Sequence, residues 1–150
     1  MSMLNEQNLL LFLEEVDVLF PIPLSHKASL PVYAKKLLEN ATICADFSGD
    51  RIVGLAAGYT ENLVDGIAYM PLAGVVKDFQ NKGIARKLFF AFFRECQKKK
   101  IAKVHWYTDP RNFAAIRFYE SLGFKTCDTV DPSRQGDIHY LVEIDKILIQ

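Results

Sequence analysis

The sequence predicts a mixed α/β fold (α+β) in which paired strands come first and strands then alternate with helices. Three observations carry this. The apolar runs "ATICADF" and "RIVGLAAGY" are separated only by "SGD", Ser48 to Asp50, which has the composition of a hairpin turn. Farther along, helical periodicity from Gly83 to about Lys100 and over "NFAAIRFYESL" brackets the strand-like run "KVHWYT". The final apolar run, "IHYLVEI", alternates as an antiparallel strand does. Meander followed by alternation defines the class.

Taken in order, Leu9 to Leu19 recurs at helical spacing, although "LLLFL" also fits a short strand. "FPIP", Phe20 to Pro23, breaks any helix, because proline lacks the amide and clashes with the preceding turn. "SLPVYAKKLLEN" predicts a short helix capped by Ser29, with Val32, Leu37 and Leu38 on its apolar side. After the hairpin and the polar loop "TENLVDG", "GIAYMPLAGVV" predicts a third strand. The last helix stops at Gly123. Repeats, low-complexity segments and linkers are absent from the sequence, so residues 1–150 read as one domain.

Composition narrows the function. Lys plus Arg and Asp plus Glu balance at 18 each, a poor basis for generic nucleic-acid binding, which depends on neutralising phosphates. Cys44, Cys96 and Cys127 are widely spaced, odd in number and free of any CxxC pattern. That argues against a disulfide framework or a metal site and for a reducing compartment. The N-terminal apolar run is short and lacks a basic lead, so neither a signal peptide nor a membrane span is expected. A cytoplasmic protein is predicted.

The most informative stretch is "VVKDFQNKGIARKLF", Val75 to Phe89. A strand entering a helix through a small-residue turn aims free backbone N–H groups at one point, where the helix dipole adds positive potential. Phosphate is the usual occupant of such a place. Small residues at Gly83 and Ala85 let it approach the backbone, and Lys82, Arg86 and Lys87 add charge at the rim. Neither GxxxxGK[ST] nor GxGxxG occurs in the chain. On its own the turn also fits an ordinary solvated strand-to-helix connection.

A second stretch decides between these. Gln80-Asn81-Lys82-Gly83-Ile84-Ala85 resembles the Q/R-x-x-G-x-G/A signature of the GNAT superfamily of N-acetyltransferases. Asn112, Ala115, Tyr119, Gly123 and Phe124 match that family's N-x-x-A-x-x-x-Y-x-x-x-G-F segment, in the family's order and with a strand between. The resemblance covers Ala41 to Phe124 well and is weakest before Ala41. It implies a GNAT-like mixed, mostly antiparallel central sheet flanked by helices, with acetyl-CoA as co-substrate and no metal.

The resemblance also assigns residues. Amides of Gln80, Asn81, Lys82, Gly83, Ile84 and Ala85 would hold the pyrophosphate, with Arg86 and Lys87 as side-chain partners. Backbone groups of Val75 and Val76 would pair with the pantetheine arm as an added strand does. Asn112 would hydrogen-bond that arm, and Ala115 and Phe118 would pack near it. Tyr119 matches the tyrosine facing the thioester sulfur. Lys77 stands where proline is common and Asn81 where glycine is frequent, and asparagine tolerates unusual backbone angles.

The chemistry suits these parts. An amine attacks the thioester carbonyl, amides near Val75 would stabilise the oxyanion, and a thiolate leaves. A phenol of pKa ~10 facing a thiol of ~8.5 makes full proton transfer uphill by roughly 2 kcal/mol, so Tyr119 would hydrogen-bond first and transfer late. An aromatic at this helical spacing is, without the motif, ordinary core. A lysine-like acceptor needs its proton removed. Glu61, Asp65, Tyr69, His105, Asp109 and His139 are the available groups, none at a telling spacing, and a water relay serves equally well.

The remaining features read as structural. "RECQKKK" is a helix end with charge favourable to the dipole. "LFFAFF" is apolar nearly all round, which predicts cover by the sheet and by another helix or a second subunit, hence a homodimer as one option. "FPIPLSHKASLP" serves as an acceptor-side lid or as a stiff connector. Three functions follow: acetylation of a small-molecule amine such as an amino sugar or another metabolite, acetylation of a protein amine, or a non-catalytic acyl-CoA-binding module. The first suits the retained Asn112 and Tyr119 best.

Overall fold

The computed structural model describes residues 3–148. Its elements run α1 (Glu6–Asp17), α2 (Leu30–Asn40), β1 (Thr42–Ser48), β2 (Arg51–Tyr59), β3 (Ala68–Val75), α3 (Ile84–Lys98), β4 (Lys103–Thr108), α4 (Phe113–Ser121), β5 (Thr126–Cys127), β6 (Ile138–Glu143) and α5 (Ile144–Leu148). The six strands form one sheet in the order β1-β2-β3-β4-β6-β5. Every pairing is antiparallel except β3 with β4. The expected mixed, mostly antiparallel sheet is therefore present.

Period-two alternation sends successive side chains to opposite faces, and each face has its own core. Ala56, Phe89, Phe92, Phe93, Trp106 and Tyr140 join one cluster beneath α3, α4 and α5. Leu55 and Ala57, the neighbours of Ala56, join Leu9, Phe12, Leu13 and Leu37 in the cluster beneath α1 and α2. The apolar helix α3 buries Leu88, Phe89, Phe92 and Phe93. Ile144 and Ile147 of α5 supply the second cover that its sequence demanded.

The helical reading of "LLLFL" holds over the strand alternative, and α1 opens on a reciprocal capping box between Asn5 and Asn8 (2.8 Å each way). Other local expectations need correction. Ser29 precedes α2 but makes no side-chain capping bond; Pro31 in the first turn presets the helix instead. Val32 is 66% exposed, while Ala34 and Leu37 face the core. Two short elements, β5 and α5, had no sequence signal: two residues of strand and five of helix are below the length at which periodicity can be read.

One feature of the sheet positions the site. The parallel strands β3 and β4 pair only at Ala68–Val104 and Tyr69–His105. Beyond these residues the strands part, and their facing backbone edges open a wedge toward the end where α3 and α4 begin. Gly54 on β2 brings the first turn of α3 close to the sheet, since a Cβ there would lie 2.5 Å from Ile84 Cγ2.

Candidate active site

The turn between β3 and α3 has the form its sequence suggested. Val76 N–H returns to Val53 O at 2.9 Å, a 3-10 turn spans Lys77–Phe79, and Gln80 Nε2 donates to Val75 O at 3.1 Å. Asn81 and Gly83 then adopt left-handed backbone, at φ 65° and 81°. Gly83 is the N-cap of α3 and has no side chain to satisfy the first amides. The first bond within the helix is Lys87 N–H to Gly83 O at 3.1 Å, which leaves the N–H groups of Ile84, Ala85 and Arg86 without a partner among the described residues. Free amides, positive dipole end and alternating backbone handedness together form an anion cradle.

This cradle opens into a cavity of about 440 Å³. Gln80, Asn81, Gly83, Ile84, Ala85 and Arg86 line one end, and Asn112, Ala115, Phe118 and Tyr119 of the α4 region line the other. Gly74 and Val75 form the wall between. The Val76–Val53 bond fixes which edge of β3 is free. Residues pointing their backbone at β2 alternate along the strand, so Ala73 and Val75 direct theirs into the wedge.

Tyr119 stands where this cavity meets a second hollow of about 170 Å³. Phe20, Ala73, Phe89, Asn112, Ala115 and Tyr119 line both. The ring is locked against Tyr140, Trp106 and Phe89, with centroids 4.7, 5.3 and 5.8 Å away. Burial pushes the phenol up to about 12, with the Thr108 hydroxyl opposing the shift, Tyr140 adding to it and the Trp106 indole opposing it weakly. The indole Nε1 itself is buried and lacks a hydrogen-bond partner of normal geometry. At neutral pH Tyr119 is thus a protonated donor. Asn112 caps α4 by accepting from Ala115 N–H at 3.3 Å through Oδ1, which leaves its amide NH₂ for another acceptor.

The second hollow is walled by Met70–Ala73 of β3, Trp106–Asp109 of β4, Arg134 and Asp137 of the loop before β6, and Phe20 to Lys27 of the α1–α2 connection. Asp109 is bonded by Arg111 through Nε and Nη2, at 3.0 and 2.7 Å, and this holds its carboxyl down at about 2. His105 and His139 face one another at 2.9 Å between Nδ1 and Nε2, and His139 Nδ1 meets Thr129 O. Burial first and then His139 lower the His105 pKa, so its neutral form persists at neutral pH.

The sequence-derived residues divide accordingly. Val75, Gln80, Asn81, Gly83, Ile84, Ala85, Arg86, Asn112, Ala115, Phe118 and Tyr119 come together around one cavity. Val76, Lys82 and Lys87 do not line it. The Val76 amide is spent on β2, Lys82 lies over the Phe79 ring at 5.2 Å, and Lys87 pairs with Asp46 at 3.1 Å. Glu61 is tied to Lys99 at 2.9 Å, and Asp65 accepts from the Ile67 amide, so both serve the loop before β3. Sequence reasoning missed Arg134 and Asp137, which lie in a polar stretch with no period or motif. Among the described residues no three metal-ligating side chains come together.

An anion cradle beside a split parallel strand pair forms a site for a phosphate-bearing ligand with an extended arm, and comparison with known proteins names the class. The acetyltransferase (GNAT) family matches residues 10–124, so the chain belongs to that family. A mycothiol acetyltransferase of Nocardiopsis dassonvillei is 40% identical over 73 residues, 49% of this chain and 22% of that protein. The chain spans about a quarter of the length of the curated relatives it matches. The PaiA N-acetyltransferase of Thermoplasma acidophilum, solved with coenzyme A, superposes with a TM-score of 0.73 at 16% identity, covering 93% of this chain and 95% of that one. The ribosomal-protein-S18-alanine N-acetyltransferase of Escherichia coli does so at 0.68 and 20% identity, covering 96% and 92%.

Proposed function

We propose that residues 1–150 form one cytoplasmic N-acetyltransferase domain that moves an acetyl group from acetyl-CoA to the primary amine of a small molecule by direct attack. The observation that carries this reading is the meeting of two hollows at Tyr119, one ending in an anion cradle and the other small, walled by parts of β3, α3, β4, α4 and the loop before β6 and roofed by Phe20 to Lys27. At about 170 Å³ the second hollow falls below the ~300–1,000 Å³ of drug-sized ligand sites, which favours a compact acceptor over an extended peptide. The proteins named above include a mycothiol acetyltransferase and a ribosomal-protein-S18-alanine N-acetyltransferase, so the pocket, not the likeness, carries the distinction.

Acetyl-CoA, when bound, supplies the acyl group as a thioester and takes away the thiolate. The residues around it divide the remaining work. Ile84, Ala85 and Arg86 N–H groups hold phosphate, and Asn81 and Gly83 shape the turn that aims them. The free edges of Ala73 and Val75 hold the amides of the arm, and one of these N–H groups stabilises negative charge at the reacting carbonyl oxygen. Asn112 offers its amide NH₂ to the arm, while Ala115 and Phe118 keep that channel apolar. Tyr119 keeps its proton until the sulfur departs. With the phenol at about 12 and a thiol near ~8.5, full transfer would be uphill by roughly 5 kcal/mol, so the hydrogen bond itself is the contribution. A titratable side chain or a water relay removes the acceptor's proton.

A screen of small amines, amino sugars and peptide amino termini tests this reading, with thiol release from acetyl-CoA followed and the acetylated product identified by mass. Small amines should be acetylated and peptides should not. Turnover confined to peptides would reverse the assignment of acceptor class, and acetyl-CoA binding without any transfer would leave an acyl-CoA-binding module.

A further inference from the structure

Resting on the small-amine reading, we infer that the acceptor carries a carboxylate beside its amine and that Arg134 binds it. Arg134 sits in the 3-10 turn Pro132–Arg134 before β6 and lines the smaller hollow. Its guanidinium is held from three sides: Nε donates to Asp137 Oδ2 at 2.9 Å, Nη1 donates to Tyr69 Oη at 3.1 Å, and the group lies 4.7 Å over the Tyr107 ring. These contacts use two of the five N–H donors of a guanidinium. The others are available as a fork of fixed orientation, the geometry that matches a carboxylate bidentately.

The support beneath Arg134 is itself built. Tyr107 stacks on His139 at 4.4 Å and 11°, and its hydroxyl accepts from Asp131 N–H at 3.1 Å. His139 is pinned between His105 and the Thr129 carbonyl. β3, β4, β6 and the loop before β6 therefore all contribute to holding one cation. An exposed arginine with no task there would not need such a platform. At 29% side-chain exposure Arg134 is also partly withdrawn from water, which strengthens a charge-assisted bond to a ligand.

Charge balance points the same way. Four charged residues line the hollow: Lys27, Asp109, Arg134 and Asp137. Asp137 is matched by Arg134 itself, and Asp109 is matched by Arg111, which lies outside the lining. The four lining charges cancel, but with Arg111 counted three cations meet two carboxylates around the hollow, and Lys27, on the roof segment, has no ion pair among the described residues. An acceptor carboxylate restores the balance, and bound at Arg134 it directs the acceptor's amine away from the cation, toward Tyr119 and the wedge.

The test compares amino acids with their own carboxamides as acceptors, each pair differing only in the charged group. Wild-type kcat/KM should favour the free acids by about 10- to 100-fold, the range for a charge-assisted hydrogen bond. Arg134→Gln should collapse that ratio toward one, through KM of the acids. Tyr69→Phe, which frees one Nη1 hydrogen and loosens the fork, should reduce the ratio partway. Should Arg134→Gln not fold, the wild-type ratio still decides. A wild-type ratio of one or less overturns the inference while leaving acetylation of small amines intact. Turnover of peptide amino termini alone, with every small amine refused, overturns the small-amine reading and this inference with it.

Discussion

The two hollows that meet at Tyr119 differ in how they are made. The larger is built mainly from two local segments, Val75 to Phe89 and Asn112 to Tyr119, each a strand-end or loop feeding a helix. Its main groups are backbone amides and a helix dipole, which any sequence with the right small residues can supply. The smaller takes walls from segments scattered between Phe20 and Asp137, and its polar groups are side chains held by other side chains. The first arrangement suits a ligand shared across a family. The second suits a ligand particular to one member. The comparison teaches where variation is tolerated: side chains around Arg134 can change without disturbing the cradle.

Tyr119 belongs to both hollows, so replacing its hydroxyl is the severest test of their being one site. Tyr119→Phe should lower kcat by roughly 30- to 1000-fold, corresponding to ~2 to 4 kcal/mol for a donor used chiefly in the transition state. Acetyl-CoA affinity by calorimetry and the neutral-pH melting temperature should hardly move. Wild-type kcat in the variant would return Tyr119 to the core. The same variant has a signature in alkali. The native phenol keeps its proton to about 12, whereas the unfolded one releases it near ~10. The native state therefore holds more protons in that window, and wild-type stability should fall as pH rises through it. Denaturant midpoints of Tyr119→Phe should fall less steeply there, against a background common to both proteins from Tyr140, Cys44 and Cys96, all raised by burial.

Gly83→Glu breaks the first hollow alone. It forces a side chain onto φ 81° and places a carboxylate at the positive end of α3. Acetyl-CoA affinity should weaken by about 10- to 100-fold in a variant whose circular dichroism is unchanged. Equal affinity would move the phosphates elsewhere. Asn81→Gly, which suits φ 65° without strain, should bind as wild type does.

The same contrast explains what could be read from sequence. The hairpin at Gly49, the strand-to-helix turn at Gly83 and the capped start of α4 at Asn112 are local, and their residue types follow from backbone angles and unpaired amides. The wedge was not legible, because nothing in "GIAYMPLAGVV" or "KVHWYT" says where their pairing stops. Arg134 was hidden for a related reason. Its partners Tyr69 and Tyr107 are 65 and 27 positions away in the chain, and only the sheet order brings them together. His105 and His139 were visible as residues but not as a pair, since β6 had first to be placed beside β4.

Lys87 sharpens the comparison with the smallest effect. Sequence spacing put its charge at the rim of the cradle, beside Arg86. In the fold, α3 turns Arg86 toward the larger hollow and Lys87 toward β1, where Asp46 accepts from Nζ at 3.1 Å. An exposed pair of this kind contributes ~0–1 kcal/mol, and the charge is screened before it reaches a phosphate on the other side of the helix. Lys87→Gln should therefore change acetyl-CoA affinity by under about fivefold at physiological salt, and Arg86→Gln by more. Calorimetry on the two variants, repeated at low salt, separates direct contact from long-range field. A direct contact from Lys87 would survive the higher salt and exceed the Arg86 effect, and the rim would then have to be redrawn around both faces of the first turn of α3.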